Sequence, residues 1–170
     1  MSTSYARPEP CGAATQEIFE FAERIGEALN LQPGSDLEPV VKRLKGTIEY
    51  MPLIAGDFQK ASITVEKGGS FTIRLSSVIF PLQKRFSIAR ELGHLFLHSK
   101  YGDVPIEVFH DMENENEQVE DEAHEFACAL LMPAIIVRKV IKAFDGDSIA
   151  VAAHFMVPEA VARQRMIDVG

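Results

Sequence analysis

The sequence predicts an α+β fold in which a small sheet sits between groups of helices. Three observations carry that expectation. Apolar residues recur at helical spacing from Thr15 to Leu31 and again through the second half of the chain. β-Forming residues concentrate at 47–54, 61–66 and 71–75. No internal repeat links the two patterns.

Taken in order, residues 1–14 hold Pro8, Pro10, Gly12 and small side chains, and are expected to form a disordered lead-in. Residues 15–170 are long enough to bury a core as one domain. From Thr15 to Leu31 the residues Ile18, Phe19, Phe21, Ala22, Ile25, Ala28 and Leu29 mark one helix face, with Thr15 as its N-cap. Pro33-Gly34 breaks this helix. Ser35 or Asp36 can cap a second, short helix running to about Leu44, which Gly46 ends. Lys67-Gly68-Gly69-Ser70 lies between two alternating runs and predicts a β-hairpin. Pro81 opens a long helix to about His98, and helical spacing returns from Glu117 to Met132, where Pro133 closes it. Helices over about 134–144 and 147–155, and one from Pro158 to about Val169, complete the chain. Asp147 and Pro158 stand where helix starts favour them.

Composition narrows the function classes. Cys11 and Cys128 are too few for a disulfide framework and lack metal-ligand spacing. The N-terminus shows no basic start followed by an apolar run, and no apolar stretch approaches the ~20 residues of a membrane span. A cytoplasmic location is the expectation. The net charge is −8, from 25 acidic and 17 basic residues. Segment 101–137 holds ten acidic residues and no Lys or Arg. Such a balance disfavours general nucleic-acid binding, because phosphate affinity comes mainly from Lys and Arg. Residues 113–117, Glu-Asn-Glu-Asn-Glu, are expected to form a solvated loop, and the acidic stretch 103–121 is either a partner-binding loop or padding.

Chemistry concentrates in Phe86-Ser87-Ile88-Ala89-Arg90-Glu91-Leu92-Gly93-His94-Leu95-Phe96-Leu97-His98. On a helix, residues 90, 94 and 98 stack on one face with Glu91 beside them. A zinc hydrolase of the H-E-x-x-H type needs two imidazoles one turn apart, and the adjoining Glu takes a proton from the metal-bound water. Here Glu91 and His94 are in place, but the first His is Arg90. Arginine is always protonated and offers no lone pair, so Arg90 cannot ligate a cation. A second stretch, Glu120-Asp121-Glu122-Ala123-His124-Glu125-Phe126 through Pro133, joins an acidic helix start to an apolar end. A carboxylate from a second helix is what completes a two-His, one-Glu zinc site.

Together these stretches resemble the ImmA/IrrE family of regulatory metallopeptidase-like proteins. The family reads as a hairpin, then a helix of the form F-T-L-A-H-E-L-G-H-L-L-L-H, then E-A-N-x-F-A-A-x-L-L-M-P. In this chain the hairpin, Phe86–His98 and Glu122–Pro133 match in that order. Residues 149–158 with Ala160, Val161 and Arg165 look like the family's closing helices. The resemblance runs from about Asp36 to the C-terminus. It implies a helical zincin-like core of the gluzincin type. It also implies His94 and Glu122 as zinc ligands, Glu91 as general base, and cleavage of a partner regulator, typically a helix-turn-helix repressor, in stress or mobile-element control. Arg90 occupies the remaining ligand position, and His124 stands where the family often has Asn.

Two outcomes follow from Arg90. The guanidinium can fill the metal site and pair with Glu122 or Glu91, giving a satisfied ion network without catalysis. Alternatively, zinc binds through His94, Glu122 and His98 with Arg90 swung away. The first outcome makes the protein a degenerate peptidase that binds a regulator through its cleft. The second makes it an active zinc endopeptidase. A third class, a DNA-binding accessory protein, rests on a loose helix-turn-helix likeness over 148–166, but that stretch offers only Arg163 and Arg165 as phosphate contacts. Among the remaining residues, His98 reads as an ordinary helix-end side chain, His154 as a packing residue, and Cys128 as a small buried hydrophobe. His110 lies in the acidic stretch with no partner readable from the sequence. Gly93 inside a helix implies a close neighbour, either a strand or a substrate backbone.

Overall fold

The computed structural model describes residues 2–52, 60–110 and 116–170. In chain order these form α1 (Thr15–Ala28), α2 (Glu38–Arg43), β1 (Gly46–Met51), β2 (Ile63–Val65), β3 (Phe71–Ser76) and α3 (Pro81–Gly93), which continues as a π-helical segment (His94–His98). Then follow β4 (Ile106–Val108), α4 (Glu117–Leu131), α5 (Ala134–Ala143), α6 (Ser148–Phe155) and α7 (Glu159–Val169). The α+β expectation holds.

Helix ends follow local chemistry, with two differences from the sequence reading. Ala14, not Thr15, is the N-cap of α1; its N–H donates to Glu17 Oε2 at 2.8 Å, which replaces the side-chain cap. The Thr15 hydroxyl instead reaches Glu125 Oε1 on α4, 2.9 Å away. Leu37 precedes α2, and Asp36 Oδ1 accepts the Glu38 N–H at 3.1 Å. Asn116 caps α4 and Asp147 caps α6, each accepting two backbone N–H groups.

The sheet has the strand order β1-β3-β2-β4. The predicted hairpin is present as antiparallel β2 and β3, with Ile63 opposite Ile73. Strand β1 lies parallel to β3, placing Ile48 beside Ile73. The β-rich reading of 47–54 is met by β1 as far as Met51; residues 53–59 lie outside those described. Strand β4 falls inside the acidic stretch expected to be loop, and pairs antiparallel with β2. That stretch is therefore not wholly loop. Residues 111–115, most of the expected solvated run, lie outside the described residues.

Between the π segment and β4, Lys100, Tyr101 and Gly102 all have positive φ, which ends the helix abruptly. Gly102 meets the hairpin turn so closely that a Cβ there would lie 2.1 Å from Gly69 N. Only glycine fits that approach.

Buried residues from every layer form a continuous core that includes Ile18, Leu37, Ile73, Leu92, Phe126 and Phe155. Burying each large apolar side chain contributes about 1.5–3 kcal/mol. Phe96 stacks on Phe126 at 5.9 Å between centroids, and Phe21 of α1 lies 6.1 Å from Phe126. Helix α3 packs directly on α4. A Cβ on Gly93 would stand 3.1 Å from the backbone of Ala123, so the close neighbour of Gly93 is helix α4, not a strand or substrate.

Two further expectations change. Residues 2–14 carry no helix or strand, but they are tied to the fold. Tyr5 donates its hydroxyl to Glu66 Oε1 at 2.7 Å, Ala6 bridges to Ile106, and the Cys11 and Gly12 N–H groups reach Glu122. His154 is exposed on α6, with its ring edge-on to Phe155 at 5.0 Å, so it is not an interior packing residue. Cys128 is buried as expected, which pushes its thiol up to about 12.

Candidate functional site

The close contact of α3 with α4 brings the polar residues of both helices into one row, and β2 and β4 close its side. Helix α3 contributes Arg90 and Glu91. The π segment then widens the turn, seen in the Ser99 N–H bond to the His94 carbonyl five residues back. This places the His94 and His98 rings 5.1 Å apart, with their Nδ1 atoms at 3.0 Å. Both histidines are buried.

His98 is therefore not an ordinary helix-end residue. Its Nε2 lies 2.9 Å from Glu122 Oε2, and the same carboxylate accepts the Cys11 N–H at 2.8 Å and the Gly12 N–H at 3.1 Å. The network assigns the protons. Donation from His98 Nε2 to Glu122 leaves His98 Nδ1 as acceptor, so His94 carries its proton on Nδ1. His94 Nε2 is left facing Glu120, as a lone pair in the neutral ring or as an N–H in the charged one. It lies 3.4 Å from Glu120 Oε1 without meeting hydrogen-bond geometry, and it has no hydrogen-bond partner among the described residues.

Arg90 Nη2 binds Glu120 Oε2 at 2.6 Å. The sequence reading expected Glu122 or Glu91 as the partner of Arg90; the structure gives Glu120, two residues earlier on α4. Glu91 is engaged elsewhere. Its Oε1 lies 3.0 Å from His110 Nε2, and its Oε2 accepts the Ser62 hydroxyl at 3.2 Å. His110 also approaches Glu120, with 3.6 Å between Nδ1 and Oε2. Thus His110 and Ser62 join the site with no role readable from the sequence, and Glu120 joins it although Glu122, just before the matched Ala123, is the carboxylate the resemblance favours. His110 is brought in by β4, which the sequence reading did not recognise. Glu120 could have been found by its spacing, since it lies one turn before His124 on an acidic helix start. His124 itself packs edge-on to Phe86, 5.2 Å between ring centroids.

Electrostatics separate the groups. Burial alone would raise the Glu120 carboxyl, but the proximity of His94, then the charges of His110 and Arg90, hold it down to about 2. Burial pushes His98 down to about 4, with His94 adding to the effect and Glu122 opposing it. The hydrogen bond to Glu91 raises His110. Burial works against the ionised form of Glu122, yet the Cys11 N–H, His98 and the Gly12 N–H together lower it.

A catalytic zinc site of this type needs three converging donors and one open position. The arrangement does not supply them. Arg90, at the position where the resemblance expects a ligand, holds Glu120, while both ring nitrogens of His98 are used, one on His94 and one on Glu122. Among the described residues no group of three His, Cys, Asp or Glu side chains is disposed to hold a metal ion. As placed, these residues do not fit zinc.

Comparison with known proteins gives two findings. The family described as the IrrE N-terminal-like domain, classed among the peptidases, matches residues 42–166. No curated protein matches the chain. Among solved structures, a Mycobacterium tuberculosis transcriptional regulator is similar in fold, with a TM-score of 0.62 and 15% identity. That match covers 88% of this chain but 46% of the regulator, so the chain spans about half the regulator's length.

Proposed function

Because the chain belongs to the IrrE N-terminal-like family, we propose that it is a regulatory protein of peptidase fold that binds a regulator protein and does not cleave it. The observation that carries this reading is the 2.6 Å ion pair of Arg90 with Glu120, set where the family's first metal-binding imidazole would stand. The guanidinium supplies a fixed positive charge at that point, and it cannot be removed by pH. Glu91, the family's proton-moving residue, has one oxygen on His110 and the other on Ser62, so it is held as part of a structural network. The partner proposed is a protein, with a helix-turn-helix transcriptional regulator as the kind the family resemblance implies. A DNA-contacting role for the closing helices finds little charge to work with. Arg165 is buried, with its Nη2 2.7 Å from Glu23 and its guanidinium over the Phe19 ring, and Arg163 pairs with Glu159.

The second reading, an active zinc endopeptidase with a rebuilt site, is favoured by the buried His94 Nε2, which faces a carboxylate without a hydrogen-bond partner. It requires Arg90 to leave Glu120 and His98 to leave Glu122. Metal content separates the two readings. Protein purified without chelator should carry no stoichiometric zinc, and the Arg90→His variant should bind about one zinc per chain. Stoichiometric zinc in the parent, lost in His98→Ala or Glu122→Ala, would overturn the binder reading.

A further inference from the structure

Strand β4 is the last strand of the sheet, and its inner edge is taken by β2. An edge strand exposes backbone N–H and C=O groups that another extended segment can pair with. Here that segment is the chain's own N-terminus. The Ala6 N–H donates to the Pro105 carbonyl at 2.9 Å, in a parallel bridge to Ile106. One residue earlier, the Tyr5 hydroxyl bonds Glu66, just beyond the end of β2. Pro8 and Pro10 are half-buried, while Arg7 before them and Glu9 between them are exposed, as expected of an extended segment lying on a surface. At the far end, the consecutive N–H groups of Cys11 and Gly12 take one oxygen each of Glu122. Gly12 has φ +73°, and nothing lies within 4 Å of the position its Cβ would take. Glycine is needed there for the backbone turn that points both N–H groups at the carboxylate, not for space.

We infer that the surface from the outer edge of β4 to Glu122 on α4 is a peptide-binding groove, occupied by residues 5–12 as a tethered ligand. It fits an extended, proline-containing peptide that pairs with the β4 edge and ends in a small-residue–Gly turn offering two successive N–H groups. Use of the groove by a partner rests on the binder reading above. Its occupation by the chain's own segment does not, and it can be read directly.

In the full-length double variant Ala6→Pro with Gly12→Pro, the N–H that bonds Pro105 is removed and proline cannot adopt the turn at position 12. This variant should bind a labelled synthetic peptide of residues 2–14 saturably in fluorescence polarisation. The parent, whose tethered segment competes at high effective concentration, should bind it at least about tenfold more weakly. Glu122→Gln in the double variant should weaken binding several-fold. A double variant that melts like the parent yet fails to bind the peptide overturns the inference, as does equal binding by the parent. Hydrogen exchange on the parent tests the seating without any variant. The Ala6, Cys11 and Gly12 amides should exchange more slowly than in the free peptide, and exchange at free-peptide rates overturns the inference. Because the rebuilt zinc site would also use Glu122, both measurements are made on metal-free protein, where failure here is distinct from failure of the binder reading.

Discussion

Helix α3 with its π extension makes two close polar pairs with α4, and the two meetings are built differently. At one, Arg90 and Glu120 pair at 2.6 Å with side chains 31% and 13% exposed. At the other, His98 and Glu122 lie 2.9 Å apart with side chains 0% and 5% exposed. The guanidinium is charged at every accessible pH and reaches water at part of its surface, although its Nε is buried without a hydrogen-bond partner among the described residues. The imidazole can be neutral, so it can be buried, and the carboxylate facing it is supported by the backbone N–H groups of the N-terminal segment. The difference teaches that burial here follows the partner that can give up its charge.

Acid should break the comparison most strongly. His98 is held down to about 4 in the fold against an ordinary value of 6.5, so its contribution is complete above pH 6.5 and is lost as pH falls from 6.5 toward 4. Glu120, held near 2 against 4.5, loses its contribution only between about 4.5 and 2. The raised His110 works in the opposite sense, adding stability below its ordinary value and losing it as pH rises through the raised one. Urea midpoints measured at pH 7, 5 and 3 should therefore fall in two stages, and His98→Gln should remove the upper stage alone. A single acid step shared by both variants would mean that the two meetings titrate as one unit.

Next in size, Glu122→Ala leaves buried His98 and two backbone N–H groups without their acceptor and should cost about 3 kcal/mol or more. Glu120→Ala should cost less, because water can reach its partner. Equal losses in denaturant unfolding would erase the distinction drawn here.

Gly93→Ala tests what holds both meetings in register. The added Cβ would stand 3.1 Å from the Ala123 backbone, and overpacking of this kind costs about 1–3 kcal/mol. Ala123→Gly should not rescue it, because the obstruction is main chain. Rescue in a thermal melt would show that the helices can shift to relieve it.

The smallest effect is expected at the less buried pair, where Arg90→Met should cost about 1–2 kcal/mol, since His94 and His110 stay beside the Glu120 carboxylate. A larger loss by urea titration would place that pair in the same class as the buried one.

Much of this architecture is legible in the sequence, and particular residues show where legibility stops. Helices α4 to α7 follow from apolar spacing and from local signals, the Pro133 break and the Asp147 cap, that need no tertiary contact. The hairpin follows from Gly68-Gly69. Strand β4 does not, because three residues in an acidic stretch become a strand only when β2 supplies the hydrogen bonds. At the site, one-turn spacing brings Arg90, Glu91, His94 and His98 together on paper. The choice of Glu120 as the partner of Arg90, with Glu122 given to His98, depends on how α4 is rotated against Gly93, and no local pattern encodes that rotation. His110 enters only because β4 carries it there. The prolines and glycine of the N-terminal segment suggest a loose tail, yet Gly12 is what lets that segment turn and grip Glu122.

The π segment makes the histidine pair a matter of chain length. A π turn is in effect an α-helix with one residue inserted, and deleting a single residue between His94 and His98 would return the ladder to α spacing. One residue of α-helix turns about 100° around the axis. His98 would then follow His94 by three residues of α-helix, about 60° around the axis, and the reach of its ring to both His94 and Glu122 would be reset. The count of residues, as well as their identity, therefore sets where that imidazole points.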